Sequence, residues 1–148
     1  MLPVLPCLQP LALVGGIDAT FAIIETPLAG NMTADVAANN SKALAGSAGG
    51  QMGFADGGGS AALFGGTGGG LAASLDGNFA LVVDSGNRVL RKLILATGEV
   101  TTLAGIAGTA GAADGKGTAA RCYLPAGVGV SPDGNFALVA DAGWPALL

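Results

Sequence analysis

A phrase of eleven residues occurs twice in this chain with two changes. Residues 131–141 are SPDGNFALVAD, and residues 74–84, 57 positions upstream, are SLDGNFALVVD. A more divergent copy, DATFAIIE, occupies residues 18–25, another 58 positions earlier. Self-similarity at a fixed period indicates a repeat architecture in which each repeat is one supersecondary unit. The chain is therefore predicted to consist of tandem units with a period of 57 to 58 residues.

The local signals within one period all favour β-structure. Asp-Gly pairs lie between short apolar runs, and Asp18, Asp76 and Asp133 are expected to be hairpin-turn residues. Glycine and asparagine accept the positive φ of such tight turns. Residues 100–103 are rich in β-branched side chains, which favour strands. Each unit is therefore predicted to be a four-stranded antiparallel meander. The predicted strands are residues 11–14, 21–24, 32–37 and 42–45 in the first unit, 71–74, 79–84, 89–95 and 100–104 in the second, and 128–131 and 136–141 in the third.

One part of the second unit also points to a family. Residues 84–105, DSGNRVLRKLILATGEVTTLAG, resemble the NHL repeat, as do the Gly-x-x-Asp-Gly segments and the SPDG turn. The resemblance covers residues 44–142 well and residues 7–43 poorly, and Arg88 stands where the family usually has a histidine. It implies an all-β fold built from the four-stranded antiparallel blades of a β-propeller.

The number of units predicts an incomplete propeller, because such rings usually close with four to eight blades. The expected segments are a degenerate blade at 1–45, a glycine-rich loop at 46–70, a blade at 71–104, a glycine-rich connection at 105–126 and a truncated half blade at 127–148. Each open blade face could expose about 400 Å² of apolar surface. Burying it is worth on the order of 10 kcal/mol as an upper estimate. We therefore expect self-association of the isolated chain, binding to a protein partner, or completion by the missing blades of a longer chain.

The second hairpin turn of a meander emerges on the same side as the connections between blades. Residues 85–88 should therefore share a surface with both glycine-rich loops, and loops on a rigid scaffold are the usual place for binding. This surface is the predicted partner-binding site, with Ser85, Asn87, Arg88, Asp114 and Lys116 as its candidate residues. Asp56 and Asp114 recur between glycines and are expected to stabilise turns by accepting hydrogen bonds from nearby backbone amides.

Composition limits the function classes. The net charge is −4 and the single cationic cluster is Arg88, Arg91 and Lys92, which is expected to be a solvated strand and turn. A nucleic-acid partner is therefore disfavoured. No apolar run reaches the length of a membrane span. Cys7 and Cys122 occupy equivalent repeat positions on different blades, and Phe64 fills the same position in the middle copy of the repeat, which indicates a buried apolar position. Packing in apolar surroundings is therefore favoured over a disulfide.

Two functions follow from the resemblance and the composition. The first is a non-enzymatic scaffold or binding module that presents loops to a protein or a glycan, without a cofactor or a metal. The alternative is a fragment of a propeller enzyme, because similar propellers include lyases and lactonase-like hydrolases. The chain has no histidine, the commonest general base and metal ligand. The first function is therefore preferred, and no compartment is indicated.

Overall fold

The computed structural model describes residues 11–15, 21–25, 42–47, 49–66 and 69–143. This part of the chain is all-β, with antiparallel sheets and two short 3-10 turns, Gly59–Ala61 and Gly117–Ala119. The strands are β1 (Leu11–Gly15), β2 (Phe21–Glu25), β3 (Lys42–Gly46), β4 (Gly57–Gly58), β5 (Leu71–Ala73), β6 (Phe79–Asp84), β7 (Val89–Ile94), β8 (Glu99–Ala104), β9 (Pro125–Val130) and β10 (Ala137–Asp141).

The second unit, blade 2, is the meander that the sequence predicts. Strands β5, β6, β7 and β8 pair in order, and each pair is antiparallel. The turn between β5 and β6 is fixed by Asp76, whose carboxylate accepts a hydrogen bond from the Asn78 backbone N–H at 3.1 Å. Gly77 follows Asp76 with φ +72°, a conformation that favours glycine. The predicted strand bounds are confirmed to within one residue.

The third unit, blade 3, repeats this geometry in its first two strands. Strands β9 and β10 pair antiparallel, as predicted, although β9 begins three residues before the predicted position. Asp133 accepts a hydrogen bond from the Asn135 backbone N–H at 3.1 Å, which reproduces the turn at Asp76. The predicted hairpin role is confirmed for both aspartates. Asp18, for which the same role was predicted, lies outside the described residues.

The first unit, blade 1, departs from the predicted order. Strand β3 pairs directly with β2, so that the described sheet has the order β1-β2-β3. The prediction placed residues 42–45 in the outermost position, beyond a strand at residues 32–37, and this placement of β3 was wrong. Residues 32–37 lie outside the described residues. The repeat signal marked the strand itself, but strand pairing depends on contacts that the phrase does not encode.

The three blades are stacked through their first strands. β5 contacts β1 of blade 1 on one side and β9 of blade 3 on the other, and β6 also contacts β9. The backbones of blades 2 and 3 meet closely, since the Gly70 N–H donates to the Ala126 carbonyl at 2.8 Å. A Cβ at Gly70 would lie 2.8 Å from the Cα of Gly127, so the approach requires glycine.

The main core lies between blades 1 and 2. It is formed by the buried residues Leu44, Ala45, Ala62, Phe64, Val82, Leu93 and Val100. Because side chains alternate along β6 and β7, Val82 and Leu93 face blade 1, whereas Leu81 and Val83 face blade 3. Both sides of β6 are buried, because a blade lies against each.

Candidate functional site

The turn at residues 85–88 lies between the two glycine-rich loops, as predicted. The Asn87 side-chain amide donates to the Gly53 carbonyl at 2.8 Å, and the Asn87 carbonyl accepts from the Gly108 N–H at 3.0 Å. Arg88 Nε donates to the Tyr123 carbonyl at 3.1 Å. The turn therefore contacts residues 46–70 through Gly53 and residues 105–126 through Gly108 and Tyr123.

Two of the candidate side chains serve to hold this arrangement together. Ser85 is buried, and its hydroxyl donates to the Pro125 carbonyl at 2.5 Å, which ties blade 2 to blade 3. The Asn87 amide also donates to the Asp84 carboxylate at 2.8 Å. Both side chains already have partners within the fold. Their geometry therefore favours a structural role over contact with an external partner.

The other candidates differ in exposure. Arg88 is half-buried and adopts φ 60°, which is uncommon for a residue other than glycine. Asp114 and Lys116 are exposed on the second loop, and neither side chain makes a hydrogen bond or ion pair within the described part of the chain. Ser85, Asn87 and Arg88 therefore lie together in one turn, and no hydrogen bond or ion pair within the described residues connects Asp114 or Lys116 to them.

The described part of each glycine-rich connection contains a hairpin, which the sequence did not predict. In hairpin loop 1 (residues 53–64), Leu63 N–H donates to the Ala55 carbonyl at 3.0 Å, and the tip is the 3-10 turn Gly59–Ala61. In hairpin loop 2 (residues 111–122), Arg121 N–H donates to the Ala113 carbonyl at 3.0 Å, and the tip is Gly117–Ala119. Hairpin loop 1 also contributes β4, which extends the blade 2 sheet to five strands by pairing with β8.

Hairpin loop 1 is held on blade 2 by a fully buried arginine. Arg91 on β7 donates to the Ala55 and Leu63 carbonyls and forms ion pairs with Asp56 at 2.8 Å and Asp84 at 3.2 Å. We call these four acceptors the arginine pocket. The guanidinium also lies over two rings of the same hairpin, 5.1 Å from the centroid of Phe54 and 4.8 Å from that of Phe64. Planar, multidentate contacts of this kind suit arginine better than lysine.

The arginine pocket also connects hairpin loop 1 to the outer strand of blade 2. The Asp56 carboxylate accepts hydrogen bonds from the backbone N–H and the hydroxyl of Thr102, both at 3.0 Å. Burial raises the pKa of Asp56, but the hydrogen bonds from Arg91 and Thr102 outweigh it and hold that pKa below its usual value. The Asp84 carboxylate accepts from the Gly65 N–H at 2.9 Å. The pocket is therefore part of the framework of blade 2.

Three sequence predictions need correction here. Arg91 was expected on a solvated strand, but it is 0% exposed, because it lies with Val89 and Leu93 on the buried side of β7. Asp56 was expected to stabilise its own turn, but its partners are Arg91 and Thr102 on distant strands. Asp114 was expected to stabilise its turn as well, but its side chain accepts no hydrogen bond within the described part of the chain. The alternation along β7 was the available signal for the burial of Arg91.

The outer side of blade 3 is an apolar surface that the other described residues leave open. Leu81 on β6 and Leu138 on β10 occupy equivalent positions in the repeated phrase. Leu81 is 5% exposed because blade 3 lies against its side of blade 2, whereas Leu138 is 72% exposed. Phe136, beside Leu138, is 60% exposed. We call the surface formed by Phe136, Leu138 and Ala140 the open face.

Cys122 is free and half-buried, and burial and the charge of Asp141 raise the pKa of its thiol. Its counterpart in hairpin loop 1, Phe64, is buried, as the repeat alignment predicted. Cys7 lies outside the described residues.

The described residues contain no group of three or more metal-ligating side chains. None of their helices has the length and apolarity that crossing a membrane would require.

The comparisons with known proteins identify the fold and leave the family open. No family model and no curated protein matches the sequence. Two solved structures from Bacteroides thetaiotaomicron VPI-5482 are similar over 84% of this chain: a structural genomics protein of unknown function, at 24% identity and TM-score 0.66, and an auxiliary nutrient binding protein, at 19% identity and TM-score 0.65. The chain covers only 28% and 31% of those two proteins, so it spans less than a third of either.

Proposed function

We propose that this chain is a non-enzymatic repeat scaffold, an NHL-type propeller segment that acts by binding protein. Its principal contact is the open face of blade 3, and the partner is another sheet of the same kind. The NHL-like residues 84–105, the stacked blades and the similarity to larger proteins, one of them a binding protein, all support the proposal.

The difference in exposure between Leu81 and Leu138 is the main support for the proposal. The two leucines belong to one repeated phrase and to equivalent strands, yet Leu81 is 5% exposed and Leu138 is 72% exposed. Blade 3 covers the outer side of blade 2, so an apolar surface of this type is already matched to a neighbouring blade within the same molecule. An exposed counterpart in blade 3 marks an interaction surface.

The oligomeric state of the purified full chain tests the proposal. Sedimentation velocity should show a self-associated species that dissociates on dilution, and Leu138→Asp should give a monomer, since burying a carboxylate in an apolar contact is costly. Leu75→Asp is the matched control, because Leu75 is 60% exposed in the turn before β6 of blade 2 and is not part of the open face. A monomeric wild-type chain, or equal effects of both variants, would contradict the proposal.

A further inference from the structure

We propose that the outer edge of β10 binds an arginine-bearing β-strand of a protein partner. The partner strand pairs antiparallel with β10 and places its guanidinium in a second arginine pocket, formed by hairpin loop 2 with Asp114 and Asp141. This inference concerns the edge of blade 3 and is independent of the open face.

The outer edge of β10 is unpaired within the described part of the chain. In blade 2, β6 pairs with β5 on one side and with β7 on the other. Its counterpart β10 pairs with β9, and its second edge has no partner strand among the described residues. An edge with free backbone N–H and C=O groups is a template for an added strand.

Hairpin loop 2 has the backbone geometry that binds Arg91 in hairpin loop 1. The Ala113 N–H donates to the Arg121 carbonyl at 3.4 Å, the same distance as from Ala55 N–H to the Leu63 carbonyl. The reciprocal bonds are 3.0 Å in both hairpins. The Ala113 and Arg121 carbonyls therefore correspond to the two carbonyls that accept from Arg91.

Both carboxylates of the pocket also recur. Asp141 ends β10 as Asp84 ends β6, and it accepts hydrogen bonds from the Tyr123 N–H at 2.8 Å and the Leu124 N–H at 2.6 Å. In blade 2, Asp84 accepts a hydrogen bond from the N–H of Gly65, which is the residue equivalent to Tyr123. The second carboxylate oxygen of Asp84 also accepts a hydrogen bond from Arg91. Asp114 is the counterpart of Asp56 and is exposed.

A protein partner is the source of the arginine that this pocket fits. At the repeat offset, the residue that corresponds to Arg91 is Leu148, so the chain's own register does not supply a guanidinium. Arg121 does not supply it either, because its side chain donates to the Thr118 and Ala120 carbonyls of its own hairpin. Ala112 and Cys122 replace the rings of Phe54 and Phe64, so binding should rely on charge and hydrogen bonds.

A peptide with the sequence of β7 is the appropriate probe. A fluorescent peptide of residues 86–96, GNRVLRKLILA, is titrated into the full chain and followed by fluorescence anisotropy. We expect saturable 1:1 binding. Arg91→Gln in the peptide, or Asp114→Asn in the protein, should each weaken binding about tenfold, the effect of losing one charged hydrogen bond.

Matched controls separate this site from non-specific attraction. Lys92→Gln removes the same charge from the peptide at the neighbouring position, and Glu99→Gln removes an exposed carboxylate of blade 2, so both should leave the affinity within about twofold. Absence of binding would refute the proposal, as would equal weakening by the controls. Binding that ignores Asp114→Asn would also refute it, because such a peptide would be replacing β7 in blade 2.

Discussion

Replacement of the charged Arg91 side chain by an apolar one is the most direct test of what stabilises the fold. Arg91 and Asp84 are 0% and 1% exposed, so Arg91→Met leaves a buried carboxylate without its cation. Breaking a buried pair in this way costs about 3–5 kcal/mol. The pair with Asp56 adds little, because that side chain is 43% exposed.

The structure places the expected loss in the lower part of this range. Asp84 keeps the Gly65 N–H and the Asn87 amide as donors, which partly compensate its charge. The loss of two ring contacts acts in the opposite direction, at about 0.5–1 kcal/mol each. We therefore expect Arg91→Met to lower the free energy of unfolding by about 3–4 kcal/mol, a large share of the 5–15 kcal/mol of a typical domain.

Urea unfolding followed by far-UV circular dichroism measures this loss. Lys92→Met is the matched control, since Lys92 is the next residue of β7 and its ammonium group lies over the Phe79 ring, 4.7 Å from its centroid. It should cost less than about 1 kcal/mol. Arg91→Met combined with Asp84→Asn should recover part of the loss, because the unpaired charge is gone.

A local measurement keeps the test valid if Arg91→Met is too unstable to unfold cooperatively. In Arg91→Lys, which retains the charge but not the planar donors, amide hydrogen exchange should accelerate at Leu63 and Thr102. These amides donate to the Ala55 carbonyl and to Asp56, the acceptors that Arg91 holds in place. A cost for Arg91→Met equal to that of Lys92→Met, with unchanged exchange in Arg91→Lys, would refute the assigned role of the arginine.

Two further predictions concern pH and packing. Hydrogen bonds from Ser74 and Ser131 lower the pKa values of Asp76 and Asp133 from 3.8. Both carboxylates therefore stabilise the fold above that pH. This contribution is lost as the pH falls through the lowered pKa values of the folded state. Urea midpoints measured from pH 7 to pH 3 should therefore decrease below about pH 4, and constant midpoints would contradict the assignment. Gly70→Ala should cost about 1–3 kcal/mol, because its Cβ would meet the backbone of blade 3. Gly129→Ala, with no atom within 4 Å, should be nearly neutral in the same unfolding assay.

The strands of blades 2 and 3 could be predicted because their signals are local. An apolar run, an Asp-Gly turn and a second apolar run specify a hairpin over about a dozen residues, whatever the rest of the chain does. Asp76 and Asp133 illustrate this, since each caps the N–H two residues ahead. The adjacency of residues 85–88 to both loops followed from the same meander geometry.

The hairpin loops and the arginine pocket could not be predicted in this way, because their contacts are distant in sequence. Arg91 reaches Ala55 across 36 positions, and Asp56 reaches Thr102 across 46. A glycine-rich segment indicates a flexible backbone but does not specify where it will pair. The recurrence of Gly-x-x-Asp-Gly 58 residues apart was the one signal that these loops share a structure.

The segment DGNFALV occurs unchanged at residues 76–82 and 133–139, which makes the chain its own control for the open face. Leu81 and Leu138 share residue type, strand position and preceding residues, so their different burial reflects the presence or absence of a neighbouring blade. Full burial of one leucine side chain is worth about 1.5–3 kcal/mol. A partner that covers Leu138 as blade 3 covers Leu81 would therefore gain this term before any contribution from Phe136. Association through the open face thus has a driving force that the same molecule already uses between blades 2 and 3.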